Sequence, residues 1–111
     1  MKTALVWLIL AIAGEVGVPP YFALSIAKEE NWTLNESINI HEEIKRIKEQ
    51  IDHPQATTYW IAAIFYDAGT QWLDMGVRPP DSSIEYADRI IARWNELTDG
   101  YAETLIRGKR F

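Results

Sequence analysis

Gly17 to Asn31 reads GVPPYFALSIAKEEN, and the reading of the whole chain turns on it. Pro19 and Pro20 stand where proline is tolerated, before or at a first helical turn. Apolar turns follow, and the stretch closes on two adjacent carboxylates, Glu29 and Glu30. A surface helix carries polar residues round most of its circumference. This one has an apolar body and acids only at its end. The pattern predicts a helix to about Glu30 that packs in a core and delivers an acid into a cleft.

Helical spacing continues on both sides, and strand alternation is almost absent, so the chain reads as all-α. A first helix is expected from about Thr3 to Glu15, ending near Gly17. A third covers about Glu36 to Ile51, where Ile40, Ile44, Ile47 and Ile51 form one apolar stripe. The charges of "HEEIKRIKEQ" then fall on a solvated face, and His53-Pro54 ends the helix. A fourth spans about Gln55 to Leu73; its middle, "YWIAAIFY", is apolar all round and predicts a hub buried on all sides. "MGVRPPD" is a turn. Ser82 and Glu85, with Asp81 just before, have the spacing of a capping box. The helix they open places Ile84, Ala87, Ile91 and Trp94 on one face and stops at Asp99-Gly100. A last short helix is expected to carry Tyr101, Leu105 and Ile106.

The chain has 111 residues, of which 48% are hydrophobic. That is one small domain with a real core. The net charge of −5 argues against nucleic acid, whose phosphates need a Lys/Arg surface. The basic end "RGKRF" is too short to alter that. The absence of cysteine excludes disulfides, thiolate zinc sites and thiol catalysis. Lys2 precedes ten unbroken apolar residues, Ala4 to Ala13, and "AIA" then meets Gly14. Residues 1–13 therefore read either as a signal peptide or as a buried first helix, with 14–111 as the domain proper. The run is too short to span a bilayer, which takes about 20 apolar residues.

Few stretches carry chemistry. His41 opens "HEEIK", which has Lys45 where a zincin helix needs its second histidine. His53 stands alone, so both histidines read as surface residues and no metal site is expected. There is no phosphate loop and no nucleophile elbow. Two glycosylation triplets, Asn31-Trp-Thr and Asn35-Glu-Ser, matter only in a secreted eukaryotic protein. Trp60 and Trp94 sit at core spacing. Trp32 and Trp72 lie at helix ends, where an aromatic face suits a sugar ring. Among the acids Glu30 stands out, because it ends an apolar helix and precedes a tryptophan. A carboxyl held against apolar surface keeps its proton more firmly and can serve as general acid on a glycosidic oxygen.

Four patches, in order from Gly17 to Trp94, resemble the soluble-type lytic transglycosylases of the goose-type lysozyme superfamily. "GVPPYFALSIAKEEN" resembles that family's Gly-Val-x-Pro helix ending in Glu-Ser. "LNESINI" resembles Leu-Asp-Pro-x-x-Asn-Ile, and "AAIFYDAG" resembles Ala-x-Tyr-Asn-Ala-Gly. "EYADRII" resembles the closing Tyr-Val-x-Arg-Val helix, with Tyr86 and Arg89 in place. Departures from the pattern include Asn31 for Ser, Glu36 for Pro and Asp67 for Asn. The segment with a Gly-x-Met-Gln-like motif between the first two patches is missing; only Trp32 to Asn39 stand there.

The resemblance implies a compact lysozyme-like helical domain that cleaves the β-1,4 bond between N-acetylmuramic acid and N-acetylglucosamine in peptidoglycan. Glu30 is its implied acid and base, with Tyr66 hydrogen-bonded to it. Tyr66, Asp67, Trp32 and Tyr86 are the implied substrate-binding residues, and no metal or cofactor is implied. A periplasmic or exported location, or a phage particle, follows from that substrate. The lost segment leaves two other readings open. One is a non-catalytic module that binds glycan or a protein partner, or self-associates to complete the groove. The other is a small helical subunit anchored to a membrane by its N-terminal run.

Overall fold

In the computed structural model, residues 1–34 and 39–106 are described. Among them are six helices: α1 (Thr3–Val16), α2 (Pro20–Glu29), α3 (Ile40–Ile51), α4 (Tyr59–Ala68), α5 (Gln71–Asp74) and α6 (Asp81–Leu97). The protein is a single all-α body. The five longer helices pack in a closed ring, α1 on α2, α2 on α6, α6 on α4, α4 on α3, and α3 back on α1. None of these helices is surrounded by all the others. α4 is as apolar as expected, with Ala62, Ala63, Ile64, Phe65 and Tyr66 buried, but Trp60 and Ile61 are only half-buried. The centre is instead shared: Phe22 of α2 meets Tyr59 of α4 and Trp94 of α6 at ring separations of 5.2 and 5.1 Å.

α1 belongs to this body. Leu5, Ile9 and Ala13 face the core, and burying side chains the size of Leu5 and Ile9 stabilises a fold by about 1.5–3 kcal/mol each. None of the described helices is long and apolar enough to cross a membrane. α1 stops at Gly17, whose φ of 92° lies in the left-handed region. The next amide, Val18 N–H, turns back to Ala13 O at 2.9 Å, a Schellman closure. A Cβ on Gly17 meets only the flexible end of Lys48 at 3.6 Å. Gly17→Ala is therefore expected to lower stability by about 1 kcal/mol through φ alone. Denaturant titration reads this as a lower midpoint with unchanged slope.

α3 begins at Ile40, with Asn39 as its cap. The Asn39 side-chain oxygen accepts from Glu42 N–H at 3.1 Å. The earlier start expected from Glu36 falls on residues 35–38, outside the described ones. All four isoleucines of its stripe are buried.

The long fourth helix is two helices. Gly69 takes φ 73° with an extended ψ, which ends α4, and Trp72 Nε1–H caps the break by donating to Gly69 O at 2.8 Å. The capping box does not form either. α6 starts at Asp81 behind Pro80 without a side-chain cap, and Ser83 turns inward. The buried stripe of α6 is Ser83, Tyr86, Ala87, Ile90 and Trp94, while Ile84 and Ile91 are half-buried. Beyond the stop at Asp99 and Gly100 no helix follows among the described residues. Thr58 and Leu105 pair as an isolated antiparallel bridge, and Ile106 N–H donates to Thr57 O at 3.1 Å. Residues 107–111, with the basic end, lie outside the described residues.

Candidate active site

The C-terminal ends of α2 and α4 and the N-terminal ends of α3 and α6 converge on one side of the ring. An open cleft of about 310 Å³ lies there, lined by Glu30, Trp32, Glu43, Arg46, Tyr66 and Asp67. Four of the five residues singled out in the sequence line it. The fifth, Tyr86, reaches it from α6: its hydroxyl donates to Glu30 Oε1 at 3.0 Å.

The local chain explains how Glu30 arrives there. Glu30 caps the C-terminus of α2 directly after Glu29, and Asn31 follows in the left-handed region at φ 55°. Trp32 N–H then closes onto Ala27 O at 2.9 Å and Asn31 N–H onto Lys28 O at 3.3 Å. This is a second Schellman motif, and asparagine is the commonest residue after glycine to tolerate its turning position. The asparagine at 31 therefore has a backbone reason.

The adjacent carboxylates part here. Glu29 is pulled to α6, where Arg89 donates to its Oε1 and Arg93 lies 3.6 Å from its Oε2. It fastens α2 to α6. Glu30 is left at the cleft, and among the described residues no ion pair ends on it. It is exposed rather than packed against the apolar body of its helix, because the Schellman turn carries it past the core.

Tyr66 does not support Glu30 as expected. Its hydroxyl donates to Glu43 Oε2 at 2.7 Å. Arg46 brackets the same pair: Nη1 donates to Glu43 Oε2 at 3.2 Å, Nη2 donates to Tyr66 O at 3.3 Å, and the guanidinium lies 4.6 Å over the Tyr66 ring. Asp67 is exposed and accepts from Ser83 Oγ at 2.7 Å. Three carboxylates thus border the cleft, each held by a hydroxyl from another helix.

Glu43, Arg46 and Ser83 were not legible as site residues. The first two sit in a charge run that reads as solvated surface. Only the approach of Tyr66 from α4 draws them into the cleft. Trp32 is 6% exposed, too little to offer a stacking platform; it forms a wall shared with two neighbouring hollows, one bordered by Lys28 and Arg93, the other by Leu5 and Leu34. Trp72 lies elsewhere, against Phe65. His41 is exposed, and His53 is half-buried against Phe65 at 4.7 Å. Among the described residues no group of three or more His, Cys, Asp or Glu side chains is arranged to hold a metal ion.

Burial pushes both phenols well above the ordinary tyrosine value of 10.0. For Tyr66 the Glu43 hydrogen bond and charge add to this; for Tyr86 the Glu30 charge and hydrogen bond do. Both stay neutral donors across the physiological range. The folded values lie above the unfolded one, so this stabilisation is complete below about pH 10. It is lost above that pH, where the unfolded chain releases protons that the folded chain keeps. Stability of the wild type should fall more steeply between pH 9 and pH 11 than that of Tyr66→Phe/Tyr86→Phe, measured by urea titration. Parallel curves would contradict the assignment.

Comparison with protein-family models, with curated proteins and with solved structures finds no match to this chain. The reading of the cleft rests on its chemistry and on the resemblance in the four patches.

Proposed function

We propose that the chain is a peptidoglycan-cleaving lytic transglycosylase, with Glu30 as its acid and base. One observation supports this most. Glu30, Trp32, Tyr66, Asp67 and Tyr86 come from three of the four resembling patches and the turn after the first, and they meet at one cleft. Nothing in their sequence separation requires that.

The reaction is a single-acid cleavage. The Glu30 carboxyl protonates the glycosidic oxygen, and the C1–O bond of the muramyl residue breaks. The resulting carboxylate takes the proton of the muramyl 6-hydroxyl as that oxygen bonds to C1. A 1,6-anhydro ring forms and Glu30 is again protonated. Tyr86 holds Oε1 and leaves Oε2 for the proton. No step calls for a metal or cofactor. The hollows beyond Trp32 extend the cleft for neighbouring sugars, and a protein partner or second copy would lengthen a groove this short. The substrate implies a periplasmic or exported site of action, or a phage particle.

The exposure of Glu30 favours a second reading, a lysozyme-like module that binds glycan or a partner without cleaving. Digestion of purified peptidoglycan by the wild type and by Glu30→Gln, with products read by mass spectrometry, separates the two. Anhydro-muropeptides from the wild type alone support the enzyme. No products from folded wild type overturn it. Equal sedimentation of both proteins with insoluble peptidoglycan would then identify the binding module.

A further inference from the structure

Glu43 has no place in the single-acid reaction and lies outside the four resembling patches, yet it is the most firmly held carboxylate in the cleft. Its Oε2 accepts from Tyr66 Oη at 2.7 Å and from Arg46 Nη1 at 3.2 Å; Oε1 takes neither bond. Arg46 is itself fixed, by Tyr66 O and by the Tyr66 ring. The carboxylate is oriented before any ligand arrives, which is what positioned catalysis needs. It comes from the first turn of α3, whereas Glu30 comes from the end of α2.

The two acids also differ in surroundings. A guanidinium accompanies Glu43, and none pairs with Glu30 among the described residues. A carboxylate fixed by a guanidinium and a hydroxyl is positioned to accept a proton from a bound water. Glycosidases that use water have this second carboxylate facing the acid across the bond. Asp67 is the weaker candidate. Among the described residues its side chain accepts one hydrogen bond, from Ser83 Oγ, and no cation pairs with it.

We propose that Glu43 is a second catalytic carboxylate that activates water, so that the chain releases hydrolysed reducing ends beside the anhydro ends. The inference rests on the reading that Glu30 breaks the glycosidic bond. Glu30 donates its proton to the leaving oxygen and C1–O breaks. Water attacks C1, and Glu43 takes the proton that the water loses. The products are a free hemiacetal and an alcohol. Glu43 returns its proton, and Glu30 regains one, through solvent. The muramyl 6-hydroxyl and water compete for the same C1, and Glu43 sets the share that goes to water.

The experiment is digestion of purified peptidoglycan in ¹⁸O-water, with both product types counted by mass spectrometry. Wild type should give anhydro ends and ¹⁸O-labelled reducing ends. Glu43→Gln should lower the ratio of labelled to anhydro ends by about ten-fold or more. Glu43→Asp keeps the charge beside Arg46 but withdraws the carboxylate by one methylene, and should lower the same ratio if Glu43→Gln fails to fold. A merely structural latch between α3 and α4 would lower stability without moving the ratio. Only anhydro ends from the wild type, or an unchanged ratio in the variants, would overturn the role of Glu43 and leave that of Glu30 standing. No products of either kind from folded wild type would overturn both.

Discussion

On the proposed mechanism, Glu30→Gln is expected to cut the rate of glycan cleavage by about 10²–10⁴-fold, the usual cost of losing a general acid, and to leave the fold unchanged. The size of the effect follows from the position of Glu30 in the reaction. An amide has no proton acidic enough to reach the glycosidic oxygen. The intact fold follows from the structure around it. Glu30 is exposed and makes no ion pair among the described residues. Among the described residues its side chain accepts one hydrogen bond, from the Tyr86 hydroxyl, which a glutamine oxygen accepts equally well. The turn that positions it is made by backbone amides of Asn31 and Trp32, not by its side chain. The variant should match wild type in circular dichroism and melting temperature and still sediment with insoluble peptidoglycan. The control is its neighbour. Glu29→Gln breaks contacts with Arg89 and Arg93, so it should lower stability and spare the reaction. If Glu30→Gln retained near-wild-type cleavage, the acid would have to be sought elsewhere.

Phe22→Ala has the largest expected effect on stability, about 3–5 kcal/mol. Phe22 is fully buried and joins three helices at once, with Tyr59 and Trp94 rings packed on it. Those two rings also meet each other edge-on at 5.1 Å. Each is anchored in its own helix, so neither can move far enough to fill the void. A domain of this size has about 5–15 kcal/mol of stability in total. Each kcal/mol is worth roughly 4–8 °C in a domain of about 100 residues, so the melting temperature should fall by about 12 °C or more. A thermal melt followed by circular dichroism reads it. A fall of only a few degrees would mean that the aromatic centre collapses onto the cavity.

Much of the fold was legible because burial imposes a period on a helix. The isoleucines of α3 recur at the spacing of one face, and every one of them is buried. Pro19 and Pro20 marked the start of α2, and Gly17 marked the end of α1, through backbone limits that act residue by residue. The errors fell where the deciding contact was distant in sequence. α4 stops at Gly69 and not at Leu73, because a turn capped by Trp72 is as good locally as a continued helix. The expected last helix is extended, because its backbone pairs with Thr57 and Thr58 some fifty residues earlier. Ser82 and Glu85 had capping spacing, but Ser83 is drawn to Asp67 and the helix opens behind Pro80 instead.

The site divides the same way. Helical class, the apolar body of α2 and the arrival of Glu30 at its end follow from the sequence by itself, because periodicity, proline geometry and side-chain polarity are local properties. Which hydroxyl holds which carboxylate was decided by tertiary structure alone. Tyr66 serves Glu43 and Tyr86 serves Glu30, because closing the ring of helices sets the ends of α3 and α4 together and those of α2 and α6 together. Hydrogen bonds reach about 3 Å, so such pairings are settled only after packing has brought the helix ends within that distance.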